Sequence, residues 1–91
     1  MKDKLRESNP FVPEGILDSA IDNFYDRLNK VKNRFYGVYF SKSMVYEVEC
    51  LFERELDAVC KGYNLRRPKI KPLVVKEDGN LIICCKEDYE G

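Results

Sequence analysis

Leu73-Val74-Val75-Lys76-Glu77-Asp78-Gly79-Asn80-Leu81-Ile82-Ile83-Cys84-Cys85 is the stretch that decides the fold. Two apolar runs flank Asp78-Gly79, a dipeptide favoured where a two-residue turn needs left-handed backbone at both central positions. The stretch predicts an antiparallel hairpin in which Val75 pairs with Ile82, Val74 with Ile83 and Leu73 with Cys84. Side chains alternate along a strand, so one face carries Leu73, Val75, Ile82 and Cys84 and the other Val74, Leu81, Ile83 and Cys85. Both faces are apolar, whereas a hairpin with one wet face normally alternates apolar and polar residues. A chain of this size buries only about two thirds of its surface, so covering both faces from within is difficult. Either the N-terminal residues Phe11 and Val12 fold over the second face, or another molecule meets it.

Upstream of the hairpin the apolar period changes. Leu17, Ile21, Phe24, Leu28, Val31 and Phe35 recur at steps of three and four, the mark of a helix with one apolar stripe. Asp18 and Asp22 near its start and Arg27, Lys30, Lys32 and Arg34 near its end match the helix macrodipole, so the basic end needs no ligand to explain it. Phe35-Tyr36-Gly37-Val38-Tyr39-Phe40 breaks the pattern with aromatic and β-branched residues, which predicts a short strand. Ser41 and Ser43 are candidate caps for a second helix reaching about Cys60, with Lys61-Gly62 as its stop. Its apolar face holds Met44, Val45, Val48, Leu51, Phe52, Leu56, Val59 and Cys60, and its opposite face holds Glu47, Glu49, Glu53, Glu55 and Asp57 against Arg54. The fold expected is α+β: two amphipathic helices packed on a small antiparallel sheet with a C-terminal β-hairpin.

Residues 1–12 read as a polar N-terminal arm, 13–86 as a single α+β domain and 87–91 as a polar tail. Asn9-Pro10-Phe11 matches a short docking tripeptide, although three residues match easily by chance and a turn with Phe11 tucked onto the core is the simpler reading. Between the second helix and the hairpin, Tyr63, Arg66, Arg67, Lys69 and Lys71 form a basic, proline-punctuated segment beside an aromatic ring. Such a segment has the chemistry to neutralise phosphates and stack a base. Equally, it can pair with the acidic face of the second helix, which would account for both charge clusters together.

The chain has 91 residues, with 16 Lys and Arg balancing 16 Asp and Glu, and no histidine. Zero net charge favours neither a polyanion-seeking protein nor an acidic nucleic-acid mimic. The charged N-terminus lacks the apolar run of a signal peptide, and no run is long enough to span a membrane, so a cytoplasmic location is expected, with the four cysteines reduced. Cys50 and Cys60 sit roughly 15 Å apart on one helix, and Cys84 and Cys85 leave opposite faces of a strand. With no C-x-x-C and no histidine, a metal site would need four thiolates gathered from distant places, and none is expected. Histidine is also absent as a general base, and no glycine-rich phosphate loop follows a strand. Neither an enzymatic activity nor a cofactor is expected.

What remains is an interaction protein. The sequence predicts a small regulator or inhibitor that binds a larger protein, itself a homodimer, through Val74, Leu81 and Ile83 on the hairpin, with Glu49 and Glu53 supplying charge complementarity. Small chains with such a surface and no chemistry are encoded by phages and mobile elements against host machinery. The alternative is a nucleic-acid binder using Tyr63, Arg66, Arg67, Lys69 and Lys71.

Overall fold

Asp78 and Gly79 both adopt left-handed backbone, with φ of 51° and 80°, the combination a two-residue hairpin turn demands. The computed structural model describes residues 1–90. Its elements run α1 (Lys2–Ser8), α2 (Glu14–Arg34), α3 (Lys42–Gly62), β1 (Pro72–Glu77), β2 (Asn80–Cys85) and α4 (Lys86–Glu90). Strands β1 and β2 form a two-stranded antiparallel sheet. Its register places Val75 opposite Ile82, Val74 opposite Ile83 and Leu73 opposite Cys84, as the turn predicts. The chain is therefore an α+β domain, and its two long helices make it elongated, 42 × 25 × 18 Å.

Helices α2 and α3 lie against each other, and the hairpin rests across the pair, β1 on α3 and β2 on α2. Leu17, Ala20, Phe24, Leu28 and Val31 form the buried stripe of α2, facing Met44, Val48, Phe52, Leu56, Val59 and Cys60 of α3. At the centre, the rings of Phe24 and Phe52 meet edge to face at 5.1 Å, an arrangement that contributes about 0.5–1.5 kcal/mol beyond simple burial. One core cluster surrounds this pair, and a second, smaller one joins Val31, Met44, Val48 and Val74. Ile83 packs against both.

The long helices end by identifiable means. Ser41 caps α3, its hydroxyl accepting from the Met44 N–H at 3.2 Å. At the other end Gly62 belongs to the helix, and the left-handed position falls two residues later, at Asn64 with φ 54°. The Leu65 N–H then reaches back to the Cys60 carbonyl at 2.7 Å, closing the helix as glycine usually does.

Three segments differ from the sequence reading. Residues 35–40 form a loop and add no strand to the sheet, because Phe35 and Phe40 are drawn into the smaller core cluster and the chain turns between them at Gly37. The N-terminal arm is a docked helix, with Met1 and Leu5 buried in the larger core cluster. The start of the polar tail is α4, whose first N–H, that of Lys86, bonds the Lys71 carbonyl at 2.9 Å; residue 91 lies outside the described residues.

Asn9 fixes the N-terminal helix in place. Its side chain, 7% exposed, donates to the Leu5 carbonyl at 3.0 Å and the Arg66 carbonyl at 2.9 Å, and accepts from the Arg66 N–H at 2.7 Å. One amide thus satisfies the end of α1 and pairs with distant backbone as a neighbouring strand would. Asn9→Ala leaves both backbone groups of Arg66 unpaired, and urea unfolding should show a loss of about 1–3 kcal/mol. An unchanged midpoint would mean that this amide contributes nothing to the docking of α1.

Candidate functional site

The hairpin register sorts the apolar side chains into an inner and an outer face. Val74 and Cys85 are buried, at 8% and 0% exposure, and Leu81 and Ile83 pack against the core beside them. Val74, Leu81 and Ile83 are therefore turned toward the helices, not toward a partner. This corrects the surface expected from sequence: both hairpin faces are apolar, and only the position of the helices decides which one is spent. The outer face carries Leu73, Val75, Ile82 and Cys84, all partly exposed and none a member of either core cluster.

Phe11 and Val12 do not cover that outer face. Val12 packs on the larger core cluster, while Phe11 is 97% exposed at a turn in which the Val12 N–H bonds the Asn9 carbonyl. The turn forms, but the ring is not tucked in, and Asn9 is wholly engaged within the chain. The element above the outer face is α4, which packs on both strands. Its half-exposed Tyr89 donates to the Glu77 carboxylate at 3.0 Å, bordering the apolar patch with an aromatic ring.

The acidic face of α3 is largely neutralised from within. Arg67 pairs with Glu53 and, at 2.6 Å, with Asp57; Arg27 pairs with Glu55 at 2.9 Å. Of the two expected partner-binding carboxylates, Glu53 is engaged, while Glu49 makes no ion pair among the described residues. The basic segment is spent in the same way: Arg67 goes to α3, Pro68 and Ile70 are buried, and the backbone of Arg66 is held by Asn9. The Tyr63 hydroxyl bonds the Ser19 carbonyl at 3.4 Å. Arg66, Lys69 and Lys71 remain exposed, but no second aromatic ring stands among them as a stacking platform.

The thiols do not converge. Cys50 is exposed on α3, Cys60 and Cys85 are buried, and Cys84 lies on the outer hairpin face. Among the described residues no group of three or more potential ligands could hold a metal ion. Burial, with Asp88 nearby, pushes the Cys85 thiol up to about 12, and burial also raises Cys84 and Cys60. These three are kept as thiols, the less nucleophilic form.

The loop at residues 35–41 is what sequence reasoning missed. Phe35 and Phe40 pack on the smaller core cluster, and between them Tyr36, Val38 and Tyr39 are 92%, 46% and 84% exposed. Gly37, at φ 78°, turns the chain between them. The available signal was Gly37, a turn-former in the middle of an otherwise strand-like run. Comparison with protein families, curated proteins and solved structures finds no match to this chain. No helix among the described residues is long and apolar enough to cross a membrane.

One buried-edge cluster ties the ends of the chain together. The N-terminal ammonium meets one Asp88 oxygen at 2.5 Å, and the Tyr25 hydroxyl donates to the other at 2.7 Å. Burial raises the Asp88 carboxyl, but these two hydrogen bonds, the charge of the ammonium and the Cys85 thiol together offset it and hold the group below its ordinary 3.8. Burial and the bond to Asp88 push the Tyr25 phenol up, which keeps it a donor. A carboxyl depressed in the folded state stabilises above its unfolded pKa, and that stability disappears as pH falls through the folded value. Asp88→Asn should therefore lower the urea midpoint at about pH 7, and the gap to the parent protein should close in acid, as pH falls below 3.8 through the carboxyl's lowered value. A gap independent of pH would show that the carboxylate charge is not what holds α4.

Proposed function

We propose that this protein is a small non-enzymatic interaction module, a regulator or inhibitor that acts by binding a larger protein through the outer face of its hairpin. The observation that carries this reading is that Leu73, Val75, Ile82 and Cys84 are apolar, contiguous and outside both core clusters. An apolar sheet face outside the core marks an interaction surface more often than a solvated one. Tyr89 at its border adds the residue type that is enriched at interface centres. The total surface, 6273 Å², exceeds the roughly 5500 Å² of a folded monomer of this mass. That excess is comparable to one side of an ordinary protein interface, about 800 Å². A homodimer would use the same patch, each copy presenting it to the other about a two-fold axis.

Two adjacent substitutions separate this surface from the core. Ile82→Lys charges the outer face and should leave the far-ultraviolet circular dichroism and Tm essentially unchanged. It should weaken capture of the partner by about thirtyfold or more, as loss of an interface hot spot does. Ile83→Lys instead buries a charge between the two core clusters and should unfold the domain. Sedimentation of the parent and Ile82→Lys proteins distinguishes self-association from binding to another chain. An Ile82→Lys protein that is folded and retains the same partners with the same affinity contradicts the proposal.

A further inference from the structure

The exposed loop between α2 and α3 faces the tip of the hairpin across a cleft of about 550 Å³, within the range of small-molecule and cofactor sites. Its walls combine three chemistries. Tyr36 and Tyr39 offer rings almost wholly open to solvent, on a loop whose two ends Phe35 and Phe40 anchor to the core. Lys32, from the end of α2, and Lys76, from β1, bring positive charge from opposite walls, and neither makes an ion pair among the described residues. Asn33 and Asn80 add amides able both to donate and to accept. No carboxylate lines the cleft.

Flat aromatic surface beside unopposed cations suits a ligand that is itself flat and anionic. A nucleotide unit has both properties, since a base stacks on a tyrosine ring while its phosphate meets an ammonium group. The two ammonium groups come from separate elements, whereas Lys30 and Arg34 lie on the other flank of α2, in a separate cleft with Asp26 and Glu55. Cations set apart in this way suit successive phosphates of a strand; a free nucleotide would need them gathered at one point, or a glycine-rich loop that this chain lacks. We infer that this cleft binds single-stranded nucleic acid, with a base stacked on Tyr36 or Tyr39 and the adjoining phosphates on Lys32 and Lys76. The site lies apart from the outer hairpin face and from the basic segment at residues 66–71, and it does not depend on the interaction proposed above.

Fluorescence anisotropy of a labelled oligothymidylate of about 12 nucleotides, titrated with the full chain at low salt, tests the inference. Binding is expected, and it should weaken as salt rises. Tyr36→Ala and Tyr39→Ala, at exposed positions that leave the fold intact, should each weaken it by about 5- to 100-fold. Lys32→Gln and Lys76→Gln should each reduce the salt dependence by about one phosphate contact, while Arg66→Gln binds as the parent does. The inference is overturned if the parent fails to bind at low salt or if both tyrosine variants bind as tightly as the parent. It is equally overturned if polyglutamate displaces the probe as well as unlabelled oligothymidylate does, which would mark an acidic-peptide site. Full displacement by AMP at equal nucleotide concentration would reassign the cleft to a free nucleotide.

Discussion

Two consecutive left-handed residues, Asp78 and Gly79, set the register of the hairpin, and the register decides which apolar side chains become core. A slip of one residue in β2 would turn that strand over against β1, sending Ile82 and Cys84 to the helices. Leu81, Ile83 and Cys85 would then be outside, and Ile83 could no longer join the two clusters that α2 and α3 build around Phe24, Phe52 and Val48. Because both faces are apolar, composition alone opposes such a slip only weakly. The turn supplies the specificity that polar and apolar alternation supplies in most hairpins, and the outer face is left apolar as a consequence.

The remainder of the molecule closes upon itself through polar contacts. Asn9 binds the connection at Arg66, Asp88 binds the N-terminus and Tyr25, and Arg67 binds the acidic face of α3. The two charge clusters most conspicuous in the sequence meet through Arg67, which pairs with Glu53 and Asp57, and as partly exposed pairs these contribute little stability individually. Their effect on function is larger, because they remove the acidic helix face and part of the basic segment from the surfaces open to other molecules. Two surfaces lie outside these contacts: the outer hairpin face with its tyrosine border, and the aromatic loop flanked by Lys32 and Lys76.

The long elements were legible because their signals are local. The three-and-four spacing of α2, the Ser41 cap of α3 and the Asp-Gly turn each specify structure within a few residues. Gly62 misled as a helix stop because Asn64 can also take the left-handed conformation, and it sits where the chain turns. Helix α1 was hidden because a seven-residue helix with one apolar residue, Leu5, has no periodicity to read. The candidate site was half legible: the two hairpin faces could be enumerated, but choosing between them needed the position of α2 and α3. Residues 35–40 carried strand propensity, but Phe35 and Phe40 pack on the core and Gly37 turns the chain between them, so the tyrosines of this segment became a presented loop.

Cys84 and Cys85 are adjacent probes of the two faces, one on the outer side and the other 0% exposed within the core. Alkylation of the native protein with iodoacetamide, with the sites read by peptide mass spectrometry, therefore tests the central claim most directly. The account predicts that Cys84 is modified well before Cys85, and that partner binding slows only Cys84. Faster modification of Cys85 would mean that the faces are reversed, and with them the surface assigned to interaction.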